Sequence, residues 1–326
     1  MKLAVIGASG HFANAFAAFG QHGGHELIAV APGSPGEDIT PLLNGCGERR
    51  LSPNYYSDYA TLLENESIDL AVVNPWYCDN AAVSAACLSR GVHVYSEKPL
   101  AIEFGALNDL ERCYRESGRA LAGMFDIRGM SWFQAIDEAM KENAIGEVRM
   151  MSARKSYKLG RRGPLYHVRA SYGGMLPWVA IHAIDWLLHF GGAPCRVSAL
   201  QNADCNRDHG GLEMTAAALL ETKGGVLSTV TADYLRPTGS ARHDDDRLLI
   251  TGTRGTLEAV DGQVYLTDDG PRRALPLHPA RVPLLDFIAS IGTPGEVTYA
   301  EDALLATRVA LRMRQAGDEG RWVEVL

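Results

Sequence analysis

A histidine that could exchange protons, His182, lies within the apolar stretch YGGMLPWVAIHAIDWLLHFGG, residues 172–192. The spacing of the apolar residues predicts a buried helix. An imidazole on such a helix face is most often a hydrogen-bonded core residue. Because histidine titrates near neutral pH, it can also serve as a general acid or base. The choice between these roles depends on which other titratable residues accompany it.

A second candidate for proton transfer, Lys98, follows the strand-like segment VHVYSE (92–97) and precedes Pro99. A lysine at the carboxyl end of a parallel strand points toward the crevice where doubly wound folds bind their ligands. Partial desolvation in such a crevice lowers the pKa of a lysine and makes it a proton donor or acceptor. The competing interpretation is a solvated lysine in a turn.

The segment GASGHFA (7–13) separates a strand-like run from a helix-like run. Gly7 and Gly10 permit a tight turn and the close approach of a pyrophosphate, which backbone N–H groups at the helix start can bind. The spacing is GxxGxxA, with Ser9 where the GxGxxG fingerprint has its second glycine. Since the turn lies between a strand and a helix, it predicts a dinucleotide-binding site.

The end of the second predicted strand bears on the choice between NAD and NADP. An Asp or Glu commonly binds the ribose hydroxyls there, but residues 31–34 read APGS. No Lys or Arg occurs between Lys2 and Arg49 to pair with a 2′-phosphate, and Glu37 follows closely. These observations favour NAD over NADP. We expect the cofactor to contact Gly7, Ser9, Gly10, His11, Phe12, Ser34, Asn74, Pro75, Trp76, Glu97 and Lys98.

The first third of the chain alternates between strand-like and helix-like segments. Strands buried on both faces and separated by helices imply a parallel sheet, and right-handed crossovers make it an α/β doubly wound Rossmann fold. We expect this dinucleotide-binding domain to span residues 1–122. Its predicted strands are 3–7, 26–32, 69–75 and 92–97, and its predicted helices are 12–20 and 80–91.

Beyond this domain, long segments with period-2 alternation predict a large, mostly antiparallel sheet in an α+β domain over residues 123–326. The acidic run HDDDR (243–247) is predicted to be a solvated turn rather than a metal site. The predicted strands are 147–157, 196–201, 213–222, 225–234, 247–253, 255–261 and 263–268, followed by a helix at 300–316 and a closing strand at 322–326.

The composition is that of a soluble globular protein. The chain has 326 residues, 46% hydrophobic and 21% charged, and its net charge of −8 disfavours a nucleic-acid partner. No apolar run reaches the roughly 18–20 residues that span a membrane, and the N-terminal apolar run is too short for a signal peptide. The six scattered cysteines match no zinc pattern and fit reduced thiols. We expect a cytoplasmic protein without a metal.

Four segments together resemble the glucose–fructose oxidoreductase/inositol dehydrogenase/rhizopine-catabolism (Gfo/Idh/MocA) family. They are VVNPWYCDNAAVSAACLSRGVHVYSEKPLA (72–101), FDIRG (125–129), IGEV (145–148) and GGMLPWVAIHAID (173–185). The resemblance covers nearly the whole chain in the expected order. It implies NAD(P) bound by the Rossmann domain and a second domain whose large open-faced sheet binds a sugar-like or cyclitol-like substrate. It also implies a homodimer or homotetramer formed through that sheet.

The resemblance also assigns residues. Lys98 and His182 match the family's lysine and histidine at the reacting hydroxyl, and Pro99 matches a proline that is often cis. Asp185 matches an acid that shares a helix face with the histidine, where it could orient the ring, pack or cap the helix. The substrate contacts implied or suggested by position are Lys98, Arg128, Lys155, Arg169, Trp178, His182 and Asp185.

The sequence departs from the family pattern at the acid four residues before the histidine, where Trp178 stands. This change removes a hydrogen-bond acceptor for a substrate hydroxyl and offers a flat apolar ring instead. Near the nicotinamide, Trp76 and Asp79 stand where the family often has asparagine and histidine. Either the lysine and histidine act alone, or another group replaces the acid, or catalysis has been lost. The candidate replacements are Tyr157, Tyr166 and Tyr172.

Basic residues concentrate in segment 153–174 of an otherwise acidic chain. In relatives this segment borders the substrate pocket, so the cluster suggests an anionic substrate, such as a uronate or sugar acid, held by a bidentate arginine. Arg169 and Lys155 are the first candidates. A solvated surface or a subunit contact is the more common role of such a run.

The predicted function is NAD(P)-dependent oxidation or reduction of a secondary hydroxyl of a sugar-like, cyclitol-like or uronate substrate. Lys98 and His182 form the predicted acid/base pair. Two alternatives stay open. One is an NAD-dependent enzyme that cleaves glycosides by transient oxidation and elimination, and the other is a cofactor-binding regulator without catalytic activity.

Overall fold

The structure is a computed structural model that describes residues 1–19, 24–293 and 299–325. The chain divides into two compact units. The first consists of residues 1–124 and 282–304, and the second of residues 125–281 and 305–326. The predicted division at residue 122 therefore did not include the return of segment 282–304 to the first unit.

A six-stranded parallel sheet forms the centre of the first unit and confirms the predicted Rossmann fold. Its strands are β1 (Lys2–Ile6), β2 (Glu26–Ala31), β3 (Asn54–Tyr55), β4 (Leu70–Val73), β5 (His93–Ser96) and β6 (Leu121–Gly123). Their order is β3-β2-β1-β4-β5-β6, so the direction of winding changes between β1 and β4. Folds of this type bind ligands at the carboxyl ends of the strands beside that point.

Nine strands form the sheet of the second unit, in the order β14-β13-β12-β11-β7-β10-β9-β8-β15. They are β7 (Val148–Tyr157), β8 (Pro194–Asn202), β9 (Thr215–Thr222), β10 (Leu227–Asp233), β11 (Asp244–Gly252), β12 (Thr256–Val260), β13 (Gln263–Thr267), β14 (Arg273–Ala274) and β15 (Val323–Glu324). All neighbouring pairs are antiparallel except β7 and β10, which are parallel. The predicted mostly antiparallel sheet is confirmed.

Helices connect these strands. The α-helices are α1 (Thr40–Glu48), α2 (Tyr59–Asn65), α3 (Asn80–Ser89), α4 (Phe104–Ser117), α5 (Ser131–Lys141), α6 (Arg169–Tyr172), α7 (Ile181–Gly191), α8 (Pro283–Ser290) and α9 (Tyr299–Glu319). Short 3₁₀ helices span Asp126–Gly129 and Pro164–His167, and a π-helical turn at Leu176–Ala180 continues into α7. The helix predicted at 12–20 is a 3₁₀ helix, Phe12–Ala18, and residue 20 lies outside the described residues.

Helix α8 explains why segment 282–304 belongs to the first unit. Leu284 and Phe287 are each 1% exposed and form part of the core that contains β1 and β4 side chains. The Phe287 ring stacks on Tyr95 of β5, with ring centroids 5.7 Å apart. The apolar face of a helix shows that the helix is buried but does not identify its partner, so the sequence did not predict this contact.

The acidic run HDDDR (243–247) is not the solvated turn that the sequence predicted. It enters β11, where Asp246 pairs directly opposite Lys155 of β7. Both carboxylate oxygens of Asp246 accept hydrogen bonds from Lys155 Nζ at 2.6 Å, and both side chains are buried. Burial raises the pKa of Asp246 and lowers the pKa of Lys155, and the mutual attraction opposes both shifts. The acid is tolerated in the sheet because a buried cation faces it.

Three general features complete the description. No helix in the three described ranges is both long and apolar enough to cross a membrane. Within those ranges, no group of three or more His, Cys, Asp or Glu side chains could hold a metal ion. The six cysteines are free thiols, two of them buried and two exposed.

Candidate active site

The glycine turn after β1 joins the carboxyl ends of three neighbouring strands. Gly7 N donates a hydrogen bond to Ala31 O at 2.8 Å, and Ser9 N donates one to Asn74 O at 2.9 Å. Gly7 has a φ of +86°, and a Cβ at this position would lie 2.2 Å from Asn74 O. Both the left-handed backbone and this contact exclude a side chain. The turn therefore has the close backbone packing of dinucleotide-binding turns.

The buried carboxylate of Glu97 holds the other end of this turn. It accepts hydrogen bonds from His11 N at 2.6 Å, His11 Nδ1 at 2.9 Å and Lys98 N at 3.0 Å. A Cβ at Gly10 would lie 2.2 Å from Glu97 Oε2, so glycine is required here as well. Burial alone would raise the pKa of Glu97, but the charge and hydrogen bonds of His11 lower it below its usual value. Glu97 thus stays ionised and links the glycine turn to Lys98.

Lys98 follows β5 and is buried, with 3% of its surface exposed. Its peptide bond to Pro99 is cis, as the resemblance implied. Asn80, the first residue of α3, donates hydrogen bonds to Glu97 O at 2.5 Å and Pro99 O at 2.9 Å. Asn80 is fully buried, so it positions the backbone on both sides of the lysine. Sequence reasoning did not select Asn80, although it is a polar residue at the start of a helix of small residues.

The carboxylate of Glu37 binds four donors at the ends of β1 and β2. Its Oε1 accepts from Ala8 N and Ser9 Oγ, both at 2.9 Å. Its Oε2 accepts from Gly33 N at 2.8 Å and Ser34 N at 3.2 Å. The sequence placed this acid too far beyond β2 to include it in the site. A turn after β2 nevertheless brings the carboxylate back to the strand end.

Asn74 follows β4, and its side chain is fully buried. Neither its Oδ1 nor its Nδ2 has a hydrogen-bond partner among the described residues. Buried side-chain amides without partners are rare in folded proteins. Since Asn74 adjoins the glycine turn, a polar group of a bound dinucleotide would satisfy it. The glycine turn, Glu37 and Asn74 together fit NAD(P).

The other predicted cofactor contacts lie near this turn or in the core beside it. Trp76 N donates a hydrogen bond to Ser34 Oγ at 3.0 Å. A Cβ at Gly33 would lie 2.6 Å from Pro75 Cβ, so the ends of β2 and β4 pack closely. Phe12 packs edge to face on Phe16, with ring centroids 6.4 Å apart, which gives it a core contact as well.

In the second unit, the π-helical turn and α7 position His182. The buried carboxylate of Glu213 accepts a hydrogen bond from Met175 N at 2.6 Å and caps the start of this helical segment. Turns of the π-helical type are frequent at functional sites. His182 is 4% exposed and contacts the Phe125 ring edge to face, with centroids 6.1 Å apart. The predicted buried imidazole is confirmed, and its catalytic role stays a prediction.

Asp185, one turn beyond His182, forms a two-point ion pair with Arg128. Arg128 Nε donates to Oδ2 at 2.9 Å, and Arg128 Nη2 donates to Oδ1 at 2.5 Å. Asp185 is 1% exposed. Bidentate pairs of this kind fix the orientation of both side chains. The structure thus brings together two residues that the sequence predicted separately as substrate contacts, and it makes each the partner of the other.

Strand alternation separates two basic residues of segment 153–174 onto opposite faces of the second sheet. Arg154 lies on the open face, 3.3 Å from Asp233. Lys155 lies on the face covered by α7 and forms the buried pair with Asp246. The ammonium that the sequence proposed for an anionic substrate is therefore already engaged by a carboxylate.

Arg169, the other proposed anion contact, is also engaged. Its Nε lies 3.2 Å from Glu213 Oε1, and its Nη1 donates to Asp318 Oδ1 at 2.8 Å. Because Glu213 caps the helical segment that carries His182, Arg169 supports that cap. The contacts give Arg169 a structural role that the sequence did not predict.

Trp178 stands where the family commonly has an acid, and it is 8% exposed. Its ring contacts Tyr166 edge on, with centroids 4.9 Å apart, and Tyr234 with centroids 6.2 Å apart. Of the tyrosines considered as replacements for the acid, Tyr166 lies against Trp178, whereas the Tyr172 hydroxyl accepts a hydrogen bond from Glu213 N. The tryptophan is therefore part of an aromatic cluster rather than an open platform.

Two family models match this chain. The one described as an oxidoreductase family with an NAD-binding Rossmann fold matches residues 1–124, and the GFO/IDH/MocA C-terminal domain matches residues 133–258. The chain belongs to the Gfo/Idh/MocA oxidoreductase family. It is an oxidoreductase with dehydrogenase relatives, which favours an enzyme over the alternative of a regulator without catalytic activity.

Individual relatives agree with this assignment. The Bos taurus trans-1,2-dihydrobenzene-1,2-diol dehydrogenase is 22% identical over 86% of this chain and 80% of its own. The Thermotoga maritima myo-inositol 2-dehydrogenase is 25% identical over 66% of this chain and 64% of its own. A solved Thermotoga maritima structure described as an oxidoreductase is 35% identical over the whole of both chains, with a TM-score of 0.95. A levoglucosan dehydrogenase complex with NADH, 15% identical, shares the fold with a TM-score of 0.84.

We expect the Gly7→Ala substitution to lower NADH affinity by at least about 10-fold, because its Cβ would displace the turn from Asn74. Gly118→Ala is the matched control, since Gly118 also has a positive φ but a Cβ there meets no atom within 4 Å. Both affinities are measured by quenching of tryptophan emission. Equal affinities of the two variants would contradict a cofactor role for the turn.

Proposed function

We propose that this protein oxidises or reduces a secondary hydroxyl group of a sugar-like or cyclitol-like substrate with NAD, and that Lys98 and His182 act as acid and base. The observation that carries the proposal is the anchoring of Lys98. A buried lysine follows β5, and its backbone is held by Glu97 and Asn80 beside the turn that fits a dinucleotide. Relatives named as dehydrogenases of a cyclitol, a dihydrodiol and an anhydrosugar support a substrate of this class.

In the proposed reaction, Lys98 and His182 share the proton of the reacting hydroxyl. NAD, when bound, accepts the hydride from the carbon that carries this hydroxyl. Removal of the hydroxyl proton by one of the two residues lets the oxygen form the carbonyl as the hydride leaves, and the other residue donates a hydrogen bond to that oxygen. In the reverse direction, the same residues return the proton. The buried positions of both side chains limit competition from water.

We expect Lys98→Met and His182→Ala each to lower kcat by roughly 10²–10⁴-fold, the usual contribution of general acid–base groups. NADH affinity should change by less than about threefold, because hydride-transfer chemistry rather than cofactor binding is lost. Turnover is measured as NADH formation with myo-inositol, levoglucosan and common aldoses. Lys141→Met, at an exposed lysine of α5, is the control and should match the wild type. A Lys98→Met enzyme with wild-type kcat would exclude the proposed role of the lysine.

We also propose NAD as the preferred cofactor, with Glu37 as the residue that discriminates against NADP. Its carboxylate lies at the ends of β1 and β2, where Rossmann folds bind the adenosine ribose. A negative charge here accepts hydrogen bonds from ribose hydroxyls and repels a 2′-phosphate. No Lys or Arg between Lys2 and Arg49 is available to offset that repulsion. The charge of Glu37 therefore favours the cofactor without the phosphate.

The wild type should bind NADH at least about 10-fold more tightly than NADPH. We expect Glu37→Gln to reduce this ratio to a few-fold, because the repulsion of the phosphate is removed while the side chain keeps its size. Asp38→Asn is the control, since Asp38 is an exposed neighbour that caps Thr40 N. The ratio is obtained from two fluorescence titrations per variant. An unchanged ratio in Glu37→Gln would assign the discrimination to another residue.

We propose that the protein forms a homodimer or homotetramer through the open face of the second sheet. Apolar side chains are exposed on that face of five adjacent strands. They are Met150 (53%), Leu200 (73%), Leu219 (49%), Leu227 (53%) and Leu249 (37%). Such a dispersed apolar face on a broad sheet is typical of a surface that another subunit covers.

Leu219→Lys should shift the protein to a smaller oligomer, because it places a charge in the centre of this face. Leu43→Lys is the control, since Leu43 is a similarly exposed leucine of α1 in the first unit. Light scattering after size-exclusion chromatography gives the mass of each variant. A monomeric wild type would contradict the proposal directly.

A further inference from the structure

The basic residues of segment 153–174 differ in how their charges are satisfied. Lys155 pairs with Asp246, Arg154 with Asp233 and Arg169 with Asp318. Lys158 donates a hydrogen bond to Ser240 O. Two residues are left, Arg161 and Arg162, and neither pairs with a carboxylate in the described part of the chain. Arg161 is exposed, whereas Arg162 is partly buried.

Aromatic rings surround the Arg162 guanidinium. Its Cζ lies 4.5 Å from the ring centroid of Tyr234, 5.4 Å from that of Trp178 and 5.6 Å from that of Tyr166. We name these four residues the Arg162 cage. Its only printed hydrogen bond from the guanidinium is a long one, 3.4 Å, from Nη2 to Lys158 O. A cation held this way gains from the rings but keeps donor capacity for a ligand.

Two polar atoms of the cage are buried without partners. Arg162 Nε and the Tyr234 hydroxyl oxygen each lack a hydrogen bond among residues 1–19, 24–293 and 299–325. Tyr234 is 2% exposed, and burial raises its pKa well above the usual value, so its hydroxyl stays protonated. Leaving a buried donor unsatisfied is costly, and each such atom in a folded protein calls for an explanation. Both atoms are donors, so the group that would satisfy them is an acceptor.

The cage adjoins the helical segment that carries the proposed base. Trp178 lies in the π-helical turn, and His182 follows one turn later in the same continuous helix. An acceptor bound by the cage would therefore lie on the part of the second unit from which His182 acts. A carboxylate satisfies the donors and also balances the charge of Arg162, which a neutral hydroxyl does not.

We propose that the Arg162 cage binds the carboxylate of the substrate, so that the enzyme acts on a sugar acid such as a uronate. The inference rests on the proposed function for its choice of substrates. It replaces Lys155 and Arg169 with Arg162 as the residue that recognises the anion. The Tyr234 hydroxyl is the second donor to the same carboxylate.

The first test compares matched pairs of acid and neutral sugar in the NAD-dependent assay. The pairs are D-glucuronate with D-glucose, D-galacturonate with D-galactose, and D-mannuronate with D-mannose. We expect kcat/KM for at least one acid to exceed that of its neutral partner by 10-fold or more. Arg162→Met should abolish this preference through a rise in KM of roughly 10- to 100-fold, with a smaller change in kcat, as expected for a lost charge-assisted hydrogen bond.

Matched variants separate binding from packing. Arg161→Met removes a neighbouring positive charge and should leave the preference unchanged. Arg162→Lys keeps the charge but loses the planar fork, so we expect it to recover part of the acid preference. Tyr234→Phe removes only the hydroxyl and should raise KM for the acid without affecting the neutral sugar. Thermal unfolding of each variant identifies any that fail to fold.

A second readout does not depend on turnover. Binding of the three uronates to the wild-type protein with NAD⁺ is followed by calorimetry, and the binding should be lost in Arg162→Met and kept in Arg161→Met. If uronates bind through Arg162 but none is oxidised, the inference stands and the proposed reaction fails. If neutral sugars are oxidised without any preference for acids, the reaction stands and the inference is overturned. The inference also fails if no uronate binds, or if Arg162→Met binds as tightly as the wild type.

Discussion

The buried carboxylate of Glu97 is the interaction on which the proposed nucleotide side of the site depends. A single ionised group accepts hydrogen bonds from the backbone and ring of His11 and from the backbone of Lys98. A fully buried charge is stable only when several donors surround it, so the turn and the lysine must both be in place. The arrangement couples the shape of the cofactor turn to the position of the proposed acid/base residue. Gly10 belongs to the same constraint, because the carboxylate occupies the space of its missing side chain.

The second unit shows how the same rule sorts a run of basic residues. Buried or half-buried carboxylates from distant strands and from α9 engage most of the cations in segment 153–174. These partners follow from sheet register, which places Asp246 opposite Lys155, and from the return of the chain through α9. After these pairs are formed, Arg162 is a partly buried cation among aromatic rings. Recognition of an anion is thus a property of what the fold leaves unneutralised rather than of the number of basic residues.

The substitution of the family acid by Trp178 gains a physical explanation from the same packing. An aspartate at this position would lie beside Arg162 and Tyr234, and it would supply the acceptor that the cage lacks. With tryptophan in its place, the cage has donors only. The change therefore alters which substrate group the site can accept, and it does so without removing Lys98 or His182. This argues for altered specificity over lost catalysis.

The sequence alone determined the fold class, the glycine turn, and the strand-end position of Lys98. These features depend on local patterns: continuous apolar runs, period-2 alternation, and glycines between a strand and a helix. It also identified His182 as a buried imidazole in an apolar helix. Only the tertiary structure decided the partners of charged residues. The Glu37 carboxylate, the pairs of Asp246 and Arg128, and the place of α8 all depend on contacts between distant segments. A charge in a sequence reveals that a partner is needed, but the partner is chosen by register and packing, which no local pattern specifies.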